Sequence, residues 1–169
     1  DERYATDEYL YGTEANTFLP SVIDRIPPGR VLCLAAGAGR NAVWLAEPGR
    51  SVTAVDASPV GLAKARQLAA ARGAHIDAVV ADLADYPIPA DHWDGIVSIF
   101  CHIQPDLRVD LHRRSVRGLR PGGVFVLEAY TPAQLHHRTG GPPNEAMLMT
   151  LAGLRRELAG LDFVHAVEC

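Results

Sequence analysis

Gly37 and Gly39 stand between an apolar run, Val31-Leu32-Cys33-Leu34-Ala35-Ala36, and a helix-forming stretch that begins at Arg40. Glycine tolerates positive φ and carries no Cβ, so the backbone at these two positions can lie directly against a ligand. The helix that follows offers unpaired N–H groups and the positive end of its dipole. Nineteen residues after Gly37, Asp56 closes the second apolar run, Ser51-Val52-Thr53-Ala54-Val55. A carboxylate at the tip of a second strand can grip a nucleotide ribose through its hydroxyls. Together these residues describe a nucleotide-cofactor pocket.

The elements that must position them alternate between strand and helix along the chain. Thr13 to Ile26 reads as a helix disturbed by Pro20, and Pro27-Pro28-Gly29 turns the chain into a first strand over Arg30 to Ala36. A helix over Arg40 to Glu47 is closed by Pro48-Gly49. Ser58-Pro59 supplies an N-cap and a first-turn proline for a helix that Gly73 ends. Strands are predicted over His75 to Ala81, Trp93 to Phe100 and Val124 to Ala129, with a helix over Asp106 to Leu119 before the last of these. A loop rich in Gly, Pro and His, a helix over Asn144 to Ala159 and a sixth strand over Asp162 to Glu168 complete the reading. Near-continuous Val, Ile and Leu strands alternating with helices predict an α/β fold, a Rossmann-like doubly wound, mostly parallel sheet with helices on both faces. Ligands then belong at the carboxyl ends of strands one, two and four.

The 169 residues fit one domain, 1–169, in which 1–29 form a cap or lid and 30–169 the α/β core. A net charge of −4 and a pI near 5.9 argue against a nucleic-acid partner. The basic cluster His112-Arg113-Arg114, with Arg117 and Arg120, reads as a solvated helix face. Cys33, Cys101 and Cys169 form an odd set without CxxC spacing, which speaks against a disulfide scaffold or zinc site and for the cytoplasm. No apolar run approaches the length of a membrane span. The chain starts at Asp1 and stops at Cys169, and both ends are expected to be incomplete.

Gly37-Ala38-Gly39-Arg40-Asn41-Ala42 also fits the dinucleotide fingerprint G-x-G-x-x-G/A, so an NAD(P)-binding oxidoreductase domain is the competing reading. Such an enzyme needs a second nucleotide-binding half or a catalytic domain, and no Tyr-x-x-x-Lys pair is present. Instead, Tyr11-Gly12 with Asn16, the Gly37–Ala42 motif, Asp82 after strand three, Trp93-Asp94-Gly95-Ile96-Val97 and Arg120-Pro121-Gly122-Gly123 follow one another in order. That series resembles the class I S-adenosylmethionine-dependent methyltransferases, and in particular the small bacterial tellurite-resistance and thiol methyltransferase type. The resemblance spans nearly the whole chain.

It implies S-adenosylmethionine as cofactor and a small-molecule methyl acceptor, such as a thiol or a metalloid oxyanion. By position, Ala36, Gly37 and Gly39 would pass their backbone under the methionine part, and Asn41 would belong to the same motif. Asp56 would take the ribose hydroxyls, with Ala57 and Ser58 beside the adenine. Asp82 and Leu83 would contact the adenine itself. Phe100, Cys101 and His102 would line the space next to the transferable methyl, and Tyr11 with Asn16 would close over the cofactor. His102 is the candidate catalytic base; the alternative is that it packs or caps a turn. For Cys101 a buried, inert thiol is the simpler reading. Tyr130 and the run His136-His137-Arg138 follow strand five on the same edge, and without a third ligand the histidines make a poor metal site, so no metal is expected.

Two departures from the pattern stand out. Many relatives carry an acidic residue in strand one where this chain has Cys33 to Ala36, and family sheets finish with an antiparallel hairpin. A last strand is therefore expected to be missing, and a non-catalytic, cofactor-binding relative is a third reading.

Overall fold

The computed structural model describes residues 8–137 and 140–169, so Tyr4 and Arg138 lie outside the described residues. Five strands form one sheet: β1 (Arg30–Leu34), β2 (Ser51–Asp56), β3 (Ile76–Val80), β4 (Trp93–Ile99) and β5 (Leu119–Glu128). Their order is β3-β2-β1-β4-β5, and every pairing is parallel. The chain winds outward from β1 to β3, then returns to lay β4 on the other side of β1. The sheet thus has its topological switch between β1 and β4, and ligands of open α/β sheets bind in the crevice at such a point.

The helices are α1 (Phe18–Val22), α2 (Arg40–Ala46), α3 (Pro59–Ala71), α4 (Pro105–Gly118), α5 (Gln134–His137) and α6 (Leu151–Glu157). On one face of the sheet, Leu19 and Val22 of α1, Val43 and Leu45 of α2, and Leu62 and Ala65 of α3 cover Val31, Cys33 and Val97. On the other face, Leu111 of α4 packs with Leu32, Leu34, Val55 and Ile96. Both faces are covered, which is why the central strands are apolar at nearly every position. The expected doubly wound α/β architecture is the one observed.

Three elements differ from expectation. The helix expected over Thr13 to Ile26 shrinks to α1 and a 3₁₀ turn, Ile23–Arg25. Asn16 Oδ1 accepts the N–H groups of Phe18 and Leu19, so the helix starts there, and Thr13 and Glu14 are instead drawn to Arg72. The helix expected over Asn144 to Ala159 breaks in two. Asn144 caps a 3₁₀ turn at Glu145–Met147, and Thr150 caps α6 afresh. The sixth strand at Asp162 to Glu168 does not form: no strand is found there among the described residues. Val164 and Val167 are 71% and 66% exposed, while Phe163 lies under Arg155 and Glu168 accepts the Leu151 N–H. The segment is thus tied to α6, not to the sheet.

Candidate active site

The chemistry of the carboxyl edge begins with strained backbone. Ala35, immediately after β1, has φ of 50°, Gly37 54° and Gly39 84°. Phe100, immediately after β4, has φ of 54°. Left-handed backbone at two non-glycine residues costs about 1–3 kcal/mol each and gathers at functional sites. Here it flanks the switch between β1 and β4. Gly39 is required twice over: its φ suits glycine, and a Cβ there would stand 2.4 Å from the Ala65 Cβ of α3.

Asp56 organises the turn. Its Oδ2 accepts the Gly37 N–H at 2.8 Å and its Oδ1 accepts the Ser58 N–H at 2.8 Å. One carboxylate therefore ties the glycine turn after β1 to the start of α3, where Ser58 Oγ accepts the Gly61 N–H. Ala57 is exposed and Ser58 buried. After β3, Asp82 is exposed and its Oδ1 accepts the Ala84 N–H. The turn it makes is held from below by Arg114, whose guanidinium donates to the carbonyls of Leu83 and Tyr86. Arg113 and Arg114 also bond Asp110, so this part of the basic cluster is engaged in intramolecular contacts.

Leu83 and Cys101 do not present side chains to this edge. Both are buried among Leu32, Leu34 and Leu111, and only their backbone can face a ligand. Burial pushes the Cys101 thiol up to about 12, and Cys33 likewise to about 12, so neither is a thiolate near neutrality.

The amino-terminal segment reaches the edge beside α2. Asn41 Oδ1 accepts the Asn16 N–H at 2.8 Å, and Arg40 donates to the Tyr11 carbonyl at 2.9 Å. Tyr9 is anchored on α3 through Lys64. Asn41 thus uses its oxygen to hold the amino-terminal segment, and Tyr11 is 54% exposed.

His102 has a different setting from that of a free base. Its Nε2 accepts the Tyr130 N–H at 3.2 Å, so Nδ1 carries the proton and donates to the Met147 carbonyl at 3.0 Å. Burial lowers its pKa below the usual histidine value. Both nitrogens are spent on backbone, and the neutral ring stacks on Tyr130, which stacks in turn on Phe100. In this arrangement no lone pair of His102 is free for a substrate proton, and the geometry matches the alternative in which the ring packs and holds a turn.

Sequence reasoning did not pick out Glu128, which ends β5 with a buried Oε2 that has no hydrogen-bond partner. The signal was present: a carboxylate closes strand five as Asp56 closes strand two. Nor did it find the cluster in which Glu157 accepts from Arg108 and from His112 Nδ1, pinning α6 to α4. A cleft of about 460 Å³, lined by Arg108, Leu148, Thr150 and Leu154 among others, opens beside that cluster. None of the residues expected to hold the cofactor lines it. Among the described residues, no group of three His, Cys, Asp or Glu is placed to hold a metal, and no helix is long and apolar enough to cross a membrane.

A switch point, a glycine turn and a carboxylate at the tip of β2 define a nucleotide-cofactor-binding α/β domain. Residues 31–123 match the methyltransferase domain family, and the chain belongs to that family. It is similar to thiocyanate methyltransferase 1 of Arabidopsis thaliana, 30% identical over 129 residues, covering 74% of this chain and 55% of that protein. Probable thiol methyltransferase 2 of the same plant is 27% identical over 123 residues, covering 71% and 53%. The chain therefore spans about half the length of these curated relatives. Its fold matches that of a TehB-like SAM-dependent methyltransferase from Corynebacterium glutamicum with a TM-score of 0.61 at 21% identity, covering 82% of this chain and 68% of that one. The resemblance to class I S-adenosylmethionine-dependent methyltransferases is borne out, and S-adenosylmethionine is the cofactor that the family implies.

The edge fits that cofactor. An ionised carboxylate offers about four lone-pair positions. Backbone donors take two of those on Asp56, leaving one on each oxygen for the two hydroxyls of a ribose.

Proposed function

We propose that this chain binds S-adenosylmethionine over the ends of β1 and β2 and transfers its methyl group to a small-molecule acceptor. The observation that carries the reading is the Asp56 carboxylate, bridging the Gly37 and Ser58 N–H groups with acceptor capacity to spare. When bound, the cofactor supplies an electrophilic methyl group on a sulfonium. The chain supplies alignment and exclusion of water. Ala36, Gly37 and Gly39 offer backbone to the methionine part, Asp56 holds the ribose, and Ala57, Ser58, Asp82 and the Leu83 backbone border the adenine. Phe100 and Tyr130 form an aromatic wall on the acceptor side, and His102 positions that wall through its two backbone bonds. Residues 8–29 act as the cap, tethered through Asn41 and Arg40.

The relatives' names, thiocyanate and thiol methyltransferase, support a soft acceptor such as a thiol, which needs little proton transfer. Asp56 at the tip of β2 suits the ribose of either cofactor, and it is the methyltransferase family match that favours S-adenosylmethionine over a dinucleotide. The absence of a basic excess supports a small-molecule partner over nucleic acid, and three free cysteines support a cytoplasmic setting. Calorimetric titration with S-adenosylhomocysteine and separately with NAD tests the reading. Micromolar binding of the homocysteine compound is expected, and binding of NAD in its place refutes it.

A further inference from the structure

Glu128 is the last residue of β5 and lies in register with Ile99 of β4. Its carbonyl accepts the Phe100 N–H at 2.8 Å, so it sits directly beside the strained end of β4. Side chains alternate across a strand, and Val124 and Val126 both face the side covered by α1, α2 and α3. Glu128 shares that face. Its neighbours there, Ile99 and Phe100, are apolar. Oε2 is buried and meets no hydrogen-bond donor among the described residues. Asp56 and Asp82, by contrast, accept backbone N–H groups. His102 cannot supply a donor, since its one N–H goes to Met147. A carboxylate oxygen withdrawn from water without a donor is costly unless something brings one.

The strand order says what that would be. β5 lies beyond β4, two strands from β1, or about 10 Å at normal strand spacing. A cofactor held by the glycine turn and Asp56 occupies the ends of β1 and β2, which leaves the end of β5 to the acceptor. We propose that Glu128 is a specificity-determining residue that accepts a hydrogen bond from a neutral, proton-bearing acceptor, a thiol or hydroxyl, and repels permanent anions. This rests on the methyltransferase reading and narrows its substrate class: an acceptor that arrives with its proton is favoured over thiocyanate or an oxyanion.

Glu128→Gln keeps the shape of the side chain and removes its charge. Wild type and variant, each loaded with S-adenosylhomocysteine, are titrated with carbon-13 thiocyanate, followed by line broadening, and separately with benzyl mercaptan, a neutral thiol. Like-charge juxtaposition at a desolvated site predicts thiocyanate affinity at least about tenfold higher in the variant, with benzyl mercaptan bound more weakly. S-adenosylhomocysteine affinity is expected to stay within about twofold, because no cofactor contact is altered. Equal thiocyanate behaviour in the two proteins, including no binding by either, overturns the assignment. Loss of S-adenosylhomocysteine binding in the variant alone overturns it too, by moving Glu128 into the cofactor site. Failure of the wild type to bind S-adenosylhomocysteine overturns the methyltransferase reading instead.

Discussion

Replacing Asp56 with alanine separates the structural job its carboxylate performs from the ribose-binding job proposed for it. The first is structural: the side chain accepts the Gly37 and Ser58 N–H groups, each at 2.8 Å. Hydrogen bonds to a charged group contribute about 1.5–3 kcal/mol each. Asp56 is only partly buried and water recovers some of that, so the lower end, about 3 kcal/mol for the pair, is the working figure. In a chain of this length 1 kcal/mol moves Tm by about 2–4 °C, so a fall of about 6–12 °C is expected. The second job is binding. Losing two hydroxyl contacts at the same lower end, about 1.5 kcal/mol each, removes roughly 150-fold in affinity for S-adenosylhomocysteine. Asp56→Asn should fare almost as badly, because its amide N–H₂ must face one of the two backbone donors. Scanning calorimetry reads the first loss, and titration calorimetry, performed well below the variant's Tm, reads the second. A Tm within 2 °C of wild type would refute the anchoring role. A folded Asp56→Ala protein that binds within about threefold of wild type would refute the ribose assignment, since one lost hydrogen bond alone exceeds that.

Gly39→Ala should lower Tm by at least about 5 °C, since left-handed backbone costs about 1–3 kcal/mol and the new Cβ would meet the Ala65 Cβ at 2.4 Å. Ala65→Gly should rescue it only in part, because the Ala65 Cα is itself 2.9 Å away; full rescue in thermal unfolding would contradict this. Arg108→Ala leaves the Glu157 carboxylate, 12% exposed, with only His112 as side-chain partner, and should cost about 3 kcal/mol by urea unfolding. Hydrogen exchange should accelerate first over Leu151–Glu157, and unchanged protection there would show that α6 is held otherwise. Burial lowers the pKa of both His102 and His112 below 6.5, so the unfolded chain binds more protons than the folded one as pH falls. Their stability contribution is present above pH 6.5 and is lost as acid reaches their folded pKa values; the lowered Glu157 extends the loss below 4.5. A urea midpoint that does not drop between pH 7.5 and roughly 5 would contradict this, and His112→Gln should flatten the slope.

What could be read in advance follows from where the governing interactions lie along the chain. The parallel sheet was legible because its central strands, β1 and β4, are buried along most of their length and announce themselves locally as apolar runs. The place of Asp56 at the end of β2 was legible for the same reason, since it closes such a run. The sixth strand misled because the apolar residues of Asp162 to Glu168 resemble a strand, yet no neighbouring strand receives them. Asn144 and Thr150 are both good caps, and nothing local says that the second restarts what the first begins.

The histidine shows what a local reading leaves open. His102 follows β4 at the mouth of the site, and position alone recommends it as a base. Its partners are Tyr130 and Met147, 28 and 45 residues further on, one in a loop and one closing a 3₁₀ turn, whose course no periodicity reveals. Once both nitrogens are engaged, the ring has no unshared lone pair, and its lowered pKa works against the charged form a base must reach. Polar chemistry toward the acceptor must then come from another group at the same edge, and the strand order leaves few. Asp56 and Asp82 follow β2 and β3, on the side of β1 away from β4, and Cys101 is held as a thiol with its pKa pushed up to about 12. Glu128, ending the neighbouring strand with an unpartnered oxygen, is the carboxylate placed where the histidine was expected to act. The acceptor should therefore be sought among molecules that bring a proton to a carboxylate.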